Sequence, residues 1–121
     1  MHKAQQLNEG LLGISNSSRI PGEHVTQLID ALLRQGGMFI RIGSGALTSA
    51  WAAAGRLIGY YEAHMHPWDG LPGIVLMREA GGVTNDYLRN DGLKKGNPVL
   101  LANAVIYPQI KALLATHEIE D

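Results

Sequence analysis

One stretch of the sequence decides the fold, and it reads Met65-His66-Pro67-Trp68-Asp69-Gly70-Leu71-Pro72-Gly73-Ile74-Val75-Leu76-Met77-Arg78-Glu79-Ala80-Gly81-Gly82. After the acid Asp69, apolar residues recur at a spacing typical of one helix face, at Leu71, Ile74, Val75 and Met77. An acid at a helix start is stabilised by free N–H groups and by the positive end of the dipole. The pair Gly81-Gly82 is a typical helix end. The stretch therefore predicts a buried helix that Asp69 caps.

Length and composition limit the kinds of protein that this chain can be. A chain of 121 residues is expected to form a single domain, 1–121, with a modest core. The net charge of −1 gives no large field, so we predict neither nucleic acid nor membrane as a partner. The lack of cysteine excludes disulfides and thiolate zinc sites and favours a cytoplasmic location. The first residues lack the apolar core of a signal peptide.

Strand and helix patterns alternate along the chain. Short apolar or β-branched runs predict strands at 11–14, 38–42, 60–62, 83–86 and 98–103. Amphipathic or alanine-rich runs predict helices at 23–35, 46–57, 69–80 and 105–115. Residues 1–8 are expected to be loose, and 88–97 to form a surface loop. The alternation predicts an α/β fold with a mixed, largely parallel sheet covered by helices.

Two turns could meet a ligand. Gly43-Ser44-Gly45 lies between a predicted strand and helix, where free N–H groups can bind an oxyanion. A dinucleotide fingerprint would need a further glycine near Thr48, so that class is excluded. The second turn contains Ser17, and a serine turn without any ligand is an equally good interpretation.

Glu62, His64 and His66 lie between the paired tyrosines and Asp69. Glu62 is predicted at the end of a strand, where a sheet presents side chains to a cleft; a solvated carboxylate is the alternative. The two histidines alternate along an extended segment and could share a metal. Because no third nitrogen or sulfur ligand is near, we favour a structural role or a place at the rim of a substrate site.

Three strings together resemble the inositol monophosphatase family of metal-dependent, lithium-sensitive phosphatases. The first is Trp68-Asp69 followed by Gly73 and then by Glu79-Ala80-Gly81-Gly82. The second, 41–47, is similar to the family's Arg-Thr-Gly-Ser-Ala-Ala-Leu, and the third is Gly55-Arg56 followed by two aromatics and Glu62. The seven-residue step from Glu62 to Asp69 also matches. Departures are Leu71-Pro72, where small residues are usual, and Ile58, where aspartate is frequent.

The resemblance implies a function and a set of site residues. The implied reaction is Mg²⁺-dependent hydrolysis of a phosphomonoester, namely inositol phosphate or a related sugar or polyol phosphate. Asp69 would be a ligand to Mg²⁺ on the leaving-group side. Ser17, Ser44, Gly45 and Glu62 would bind the substrate.

The resemblance covers only the back half of the family's usual chain. The front half carries an Asp-Pro-Ile/Leu-Asp-Gly-Thr motif, and this sequence has no such string. We therefore expect the N-terminal catalytic domain to be a missing partner, and the chain alone to be inactive and to form a homo-oligomer. One alternative is a noncatalytic remnant that acts as a binding or interaction module. The other is a plain α/β domain whose signature is coincidental.

Overall fold

A five-stranded mixed sheet forms the centre of the computed structural model, which describes residues 1–114 and Ile119. Its strands are β1 (Leu11–Ser15), β2 (Met38–Ile40), β3 (Gly59–Met65), β4 (Val83–Thr84) and β5 (Asn97–Ala102), in the spatial order β2-β1-β3-β5-β4. β1 runs parallel to both β2 and β3, whereas β5 runs antiparallel to both β3 and β4. The predicted α/β fold with a mixed sheet is confirmed, with its parallel pairings on one side of β3.

Helices cover both faces of this sheet. They are α1 (Glu23–Arg34), α2 (Gly45–Ala53), α3 (Pro67–Glu79), α4 (Gly92–Lys95) and α5 (Ile106–Leu113), with 3-10 turns at Leu7–Glu9 and Arg89–Asp91. α1 and α5 bury their apolar sides on the face that contains Tyr61 and Leu100. α2 and α3 pack on the opposite face, which contains Tyr60 and Leu101. Successive strand residues point to opposite faces, so each strand contributes to both cores.

α3 begins two residues earlier than predicted. Pro67 is its first residue and His66 precedes it, so Asp69 is the third helical residue and not the N-cap. Proline is favoured at this position because its missing N–H would have no partner in the first turn. The prediction that Asp69 caps the helix is therefore wrong, although the acid does lie in the first turn.

The buried face of α3 also differs from the predicted one. Ile74 and Met77 are buried as expected, but Val75, which was predicted on the same face, is 57% exposed. Leu76, which was not predicted on that face, is also exposed. At Gly73 the backbone of α3 lies directly against α2, because a Cβ added there would lie 2.2 Å from the Ser49 Cβ. Close approach of the two helices at small residues thus sets the rotation of α3.

Two segments predicted to be irregular are ordered. Ala4 and Leu7 are buried, and the Asn103 side-chain amide donates to the carbonyl of Ala4 at 2.9 Å. The stretch 88–97 contains a 3-10 turn and α4 before β5 begins. The last residue of the predicted 105–115 helix lies outside the described residues, and α5 ends at Leu113.

Candidate functional site

Glu62 lies within β3 and not at its end, so that prediction is wrong. It is nevertheless the last residue in the parallel pairing with β1, where it faces Ser15. A register shift follows between Glu62 and Met65. Glu62 is half-buried on the face of the sheet covered by α2 and α3, the same face as Tyr60. The structure thus places this carboxyl group at the carboxyl end of the parallel part of the sheet.

The carboxyl group of Glu62 is held by a neighbour on its own strand. The Tyr60 hydroxyl donates a hydrogen bond to the Glu62 Oε1 atom. Burial raises the pKa of Glu62, the hydrogen bond from Tyr60 opposes that rise, and the charge of Asp69 adds to it. Burial also raises the pKa of Tyr60, so its hydroxyl stays protonated and serves as the donor. Alternation along β3 could have pointed to Tyr60, because residues 60 and 62 share a face.

The start of α2 lies against this pair. Ser44 is the N-cap, and its Oγ accepts a hydrogen bond from the Leu47 N–H at 3.3 Å. Gly45 follows as the first helical residue; a Cβ added there would lie 3.2 Å from the Glu62 Oε1 and 3.4 Å from the Tyr60 hydroxyl oxygen. The structure therefore brings together the two predicted residues Gly45 and Glu62.

Ser17 lies in the turn that follows β1. Its Oγ accepts a hydrogen bond from the Arg19 N–H at 3.2 Å, which stabilises the turn. Within residues 1–114 and Ile119, no hydrogen bond joins Ser17 to Glu62, Gly45 or Asp69. The substrate-binding role predicted for Ser17 stays a prediction.

Asp69 presents an exposed carboxylate in the first turn of α3. Its carboxylate makes no hydrogen bond or ion pair with the part of the chain that the structure describes. It lies near enough to Glu62 to affect the pKa of that group through charge. An exposed, unengaged carboxylate fits the hard oxygen ligands that Mg²⁺ prefers. The described residues contain no group of three or more histidine, cysteine or acidic side chains that could hold a metal.

His64, His66 and Trp68 form a row of contacting rings that precedes Asp69 in the chain. The rings of His64 and His66 meet edge to face at 5.2 Å, and His66 stacks on Trp68 at 4.5 Å. The His64 Nε2 atom donates to the Lys95 carbonyl at 2.8 Å, since a carbonyl can only accept. His64 therefore ties β3 to the end of α4, which is a structural role.

The candidate site is an open surface. Within the described residues, no enclosed pocket lies beside Glu62 or Asp69. Trp68 is 71% exposed next to Asp69.

Comparison with known proteins decides the family. A sequence model described as "Inositol monophosphatase family" matches residues 2–119, nearly the whole chain. The chain belongs to the inositol monophosphatase family. The resemblance seen in the three strings is thereby confirmed.

Several curated proteins are similar to this chain in sequence. Nus factor SuhB of Salmonella typhimurium is 38% identical over 86 residues, which cover 63% of this chain and 32% of the relative. An inositol-1-monophosphatase of Mesorhizobium japonicum is 39% identical over 66 residues, which cover 54% of this chain and 25% of the relative. The matched part spans about a third or less of the length of these relatives.

Solved structures of the family share the fold. The extragenic suppressor protein SuhB of Bartonella henselae superposes with a TM-score of 0.80 at 25% identity, covering 95% of this chain and 45% of that one. The inositol monophosphatase of Anabaena superposes with a TM-score of 0.77 at 27% identity, covering 92% and 45%. This chain thus corresponds to just under half of each of these structures.

Proposed function

We propose that residues 1–121 form a single domain, the substrate-side part of a Mg²⁺-dependent phosphomonoesterase that hydrolyses inositol phosphate or a related sugar or polyol phosphate. Membership of the inositol monophosphatase family supports a hydrolase of this class. The observation that carries the proposal is the arrangement of Glu62: its carboxyl group is held by Tyr60, lies against Gly45 and is within electrostatic reach of Asp69.

Glu62 is proposed to recognise the hydroxyl groups of the substrate. Its Oε1 accepts from Tyr60, while no described residue donates to its Oε2. A carboxylate oxygen with a free lone pair is a strong acceptor for an alcohol. Gly45 and Ser44 bring the start of α2 to the same place, where backbone N–H groups favour an oxyanion.

Asp69 is proposed to hold Mg²⁺ through its exposed carboxylate. When bound, the ion would supply charge stabilisation to the phosphoryl group and to the leaving oxygen. Mg²⁺ gives up its water reluctantly, so one carboxylate is a weak site by itself. We therefore propose that further ligands come from a front half supplied by the same or another chain, and that this chain alone does not hydrolyse phosphomonoesters.

A chimeric protein tests the proposed function. It joins the front half of the Anabaena inositol monophosphatase to this chain at the boundary of the structural match. The chimera should release phosphate from inositol monophosphate in millimolar Mg²⁺, and Asp69→Asn should abolish that release. Asp86→Asn is a matched control, because Asp86 is also an exposed acid but lies after β4. A folded chimera that is inactive, or one that is equally active after Asp69→Asn, would reject the proposal.

A second candidate function is an interaction module. Trp68, Val75 and Leu76 of α3 are largely exposed, which leaves an apolar helix face for a partner. Several relatives carry the name Nus factor SuhB. Described residues include no helix long and apolar enough to cross a membrane. The chimera separates the two candidates, since an interaction module would stay inactive with either residue at position 69.

A further inference from the structure

Tyr60 has a hydroxyl group in a position that its role in the core does not require. The side chain is fully buried among apolar residues of α2, α3 and β5. A phenylalanine ring would fill the same volume without a polar atom to satisfy. The hydroxyl is satisfied by donating to the Glu62 Oε1 atom, two residues farther along the same face. This buried hydroxyl thus makes its hydrogen bond to a side chain that is proposed to bind the substrate.

The direction of this hydrogen bond is fixed. Burial raises the pKa of Tyr60, with the charge of Glu62 acting in the same direction and the Ser15 hydroxyl opposing. The phenol therefore keeps its proton at neutral pH and can only donate to the carboxylate. A charge-assisted bond from a rigid aromatic side chain restricts the carboxyl plane of Glu62 more than water would.

Gly45 makes room for the pair. A Cβ at position 45 would lie 2.6 Å from the Met65 Cε, and it would also crowd the Glu62 Oε1 at 3.2 Å. The family string similar to 41–47 has alanine at this position, so the glycine removes a methyl group that would press on both side chains. The three residues Gly45, Tyr60 and Glu62 therefore form one packed unit.

We propose that Tyr60 is a positioning residue that sets substrate specificity: its hydroxyl holds the Oε1 of Glu62, so that the Oε2 faces the hydroxyl groups of a polyol in one orientation. This inference rests on the proposed function for the identity of the ligand. It goes beyond that function because it assigns the orientation of Glu62 to a residue that does not touch the substrate.

Loss of the Tyr60 hydroxyl should change the titration of Glu62, whereas loss of a phenol elsewhere in the core should not. The hydrogen bond from Tyr60 lowers the pKa of Glu62, as do the charges of His64 on β3 and Arg41 after β2, while Asp69 on α3 raises it. Tyr60→Phe removes only the first of these four effects. The pKa of Glu62 should therefore rise in the variant.

Tyr61→Phe is a matched control, since Tyr61 is equally buried but faces the core on the α1 and α5 side. The first measurement follows the Glu62 side-chain carboxyl carbon by NMR as pH is varied, with no ligand present. The titration midpoint should move up in Tyr60→Phe and stay in place in Tyr61→Phe. The second measurement titrates myo-inositol, which should bind roughly 3- to 10-fold more weakly to Tyr60→Phe and unchanged to the control.

The two measurements have separate meanings. An unmoved midpoint in Tyr60→Phe, or equal loss of inositol affinity in both variants, would overturn the positioning role. A midpoint that rises while the wild-type chain does not bind myo-inositol would overturn the specificity role together with the polyol part of the proposed function. If Tyr60→Phe does not fold, NMR of the wild-type protein gives the test. The Tyr60 hydroxyl proton should show a cross-peak to the Glu62 γ protons, and absence of that cross-peak would overturn the proposal.

Discussion

At the residue scale, Glu62 combines opposing effects on one carboxyl group. Burial and the charge of Asp69 raise its pKa, and the hydrogen bond from Tyr60 lowers it. The net pKa is above the ordinary value, so the folded protein takes up a proton at Glu62 more readily than the unfolded chain. Ionised Glu62 therefore costs stability at neutral pH, which is typical of a carboxylate kept for binding and not for folding.

Glu62→Gln should remove this pH-dependent cost. The stabilising contribution of a raised carboxyl pKa is present below the unfolded pKa of about 4.3 and is lost as pH rises through the folded pKa. The variant should therefore gain free energy of unfolding relative to wild type as pH rises from about 4 to 7. Urea denaturation across this pH range measures the difference, and a difference independent of pH would contradict the assignment.

Asp69→Asn should separate metal binding from folding. Asp69 is exposed in the first turn of α3 and is not the N-cap, so its loss should cost less than about 1 kcal/mol through the helix dipole. The melting temperature in EDTA should barely change, whereas broadening of nearby NMR signals by Mn²⁺ should be lost. Asp86→Asn should keep that broadening, and equal loss in both variants would argue against Asp69 as a ligand.

At the element scale, contact between α2 and α3 sets which side chains of α3 reach solvent. The contact depends on small residues, because Gly73 leaves no space for a Cβ next to Ser49. The Ser49 hydroxyl donates to the Gly45 carbonyl at 2.7 Å, so it turns back onto its own helix. The close approach also positions Asp69 on α3 relative to Gly45 on α2, which links helix packing to the site.

Gly73→Ala should destabilise the protein through this contact. The new methyl carbon would lie 2.2 Å from the Ser49 Cβ, and separating the helices should cost about 1–3 kcal/mol. Gly22→Ala is a control, because nothing lies within 4 Å of a Cβ built there. Thermal unfolding of both variants measures the cost. A Gly73→Ala protein as stable as wild type would show that the helices can move apart freely.

At the scale of the whole molecule, exposed apolar side chains lie on α3 and on the segment that follows β4. The exposed large apolar residues include Trp68, Val75 and Leu76 of α3 and also Leu88 and Leu93 of the segment that follows β4. Large apolar patches of a protein surface tend to bind partners. Since the chain corresponds to just under half of the matched structures, we expect these side chains to drive self-association of the isolated chain.

Light scattering on the purified chain tests this expectation. The wild type should form dimers or larger species, and the double variant Val75→Lys, Leu76→Lys should shift it toward the monomer. Leu33→Lys on α1 is the control, because Leu33 is 46% exposed in a helix on the opposite face of the sheet. A monomeric wild-type chain at high concentration would contradict the prediction.

Local pattern by itself determined much of this protein. The apolar runs of β1 and β5 and the amphipathic spacing of α1 were sufficient to locate those elements, because burial periodicity is a property of neighbouring residues. The signature strings were sufficient for the family. The seven-residue step from Glu62 to Asp69 identified the two acids, and the structure places them within electrostatic reach of each other.

Tertiary structure decided the geometry of the site. The antiparallel direction of β5, the rotation of α3 and the register shift after Glu62 depend on contacts between residues far apart in the chain. The role of Gly45 appears only when α2 lies on β3 and brings its first residue against Glu62. A sequence pattern records which residues prefer burial, but the partner that buries them is chosen by the packing of whole elements. That packing turned Val75 outward and brought Gly45 against Glu62.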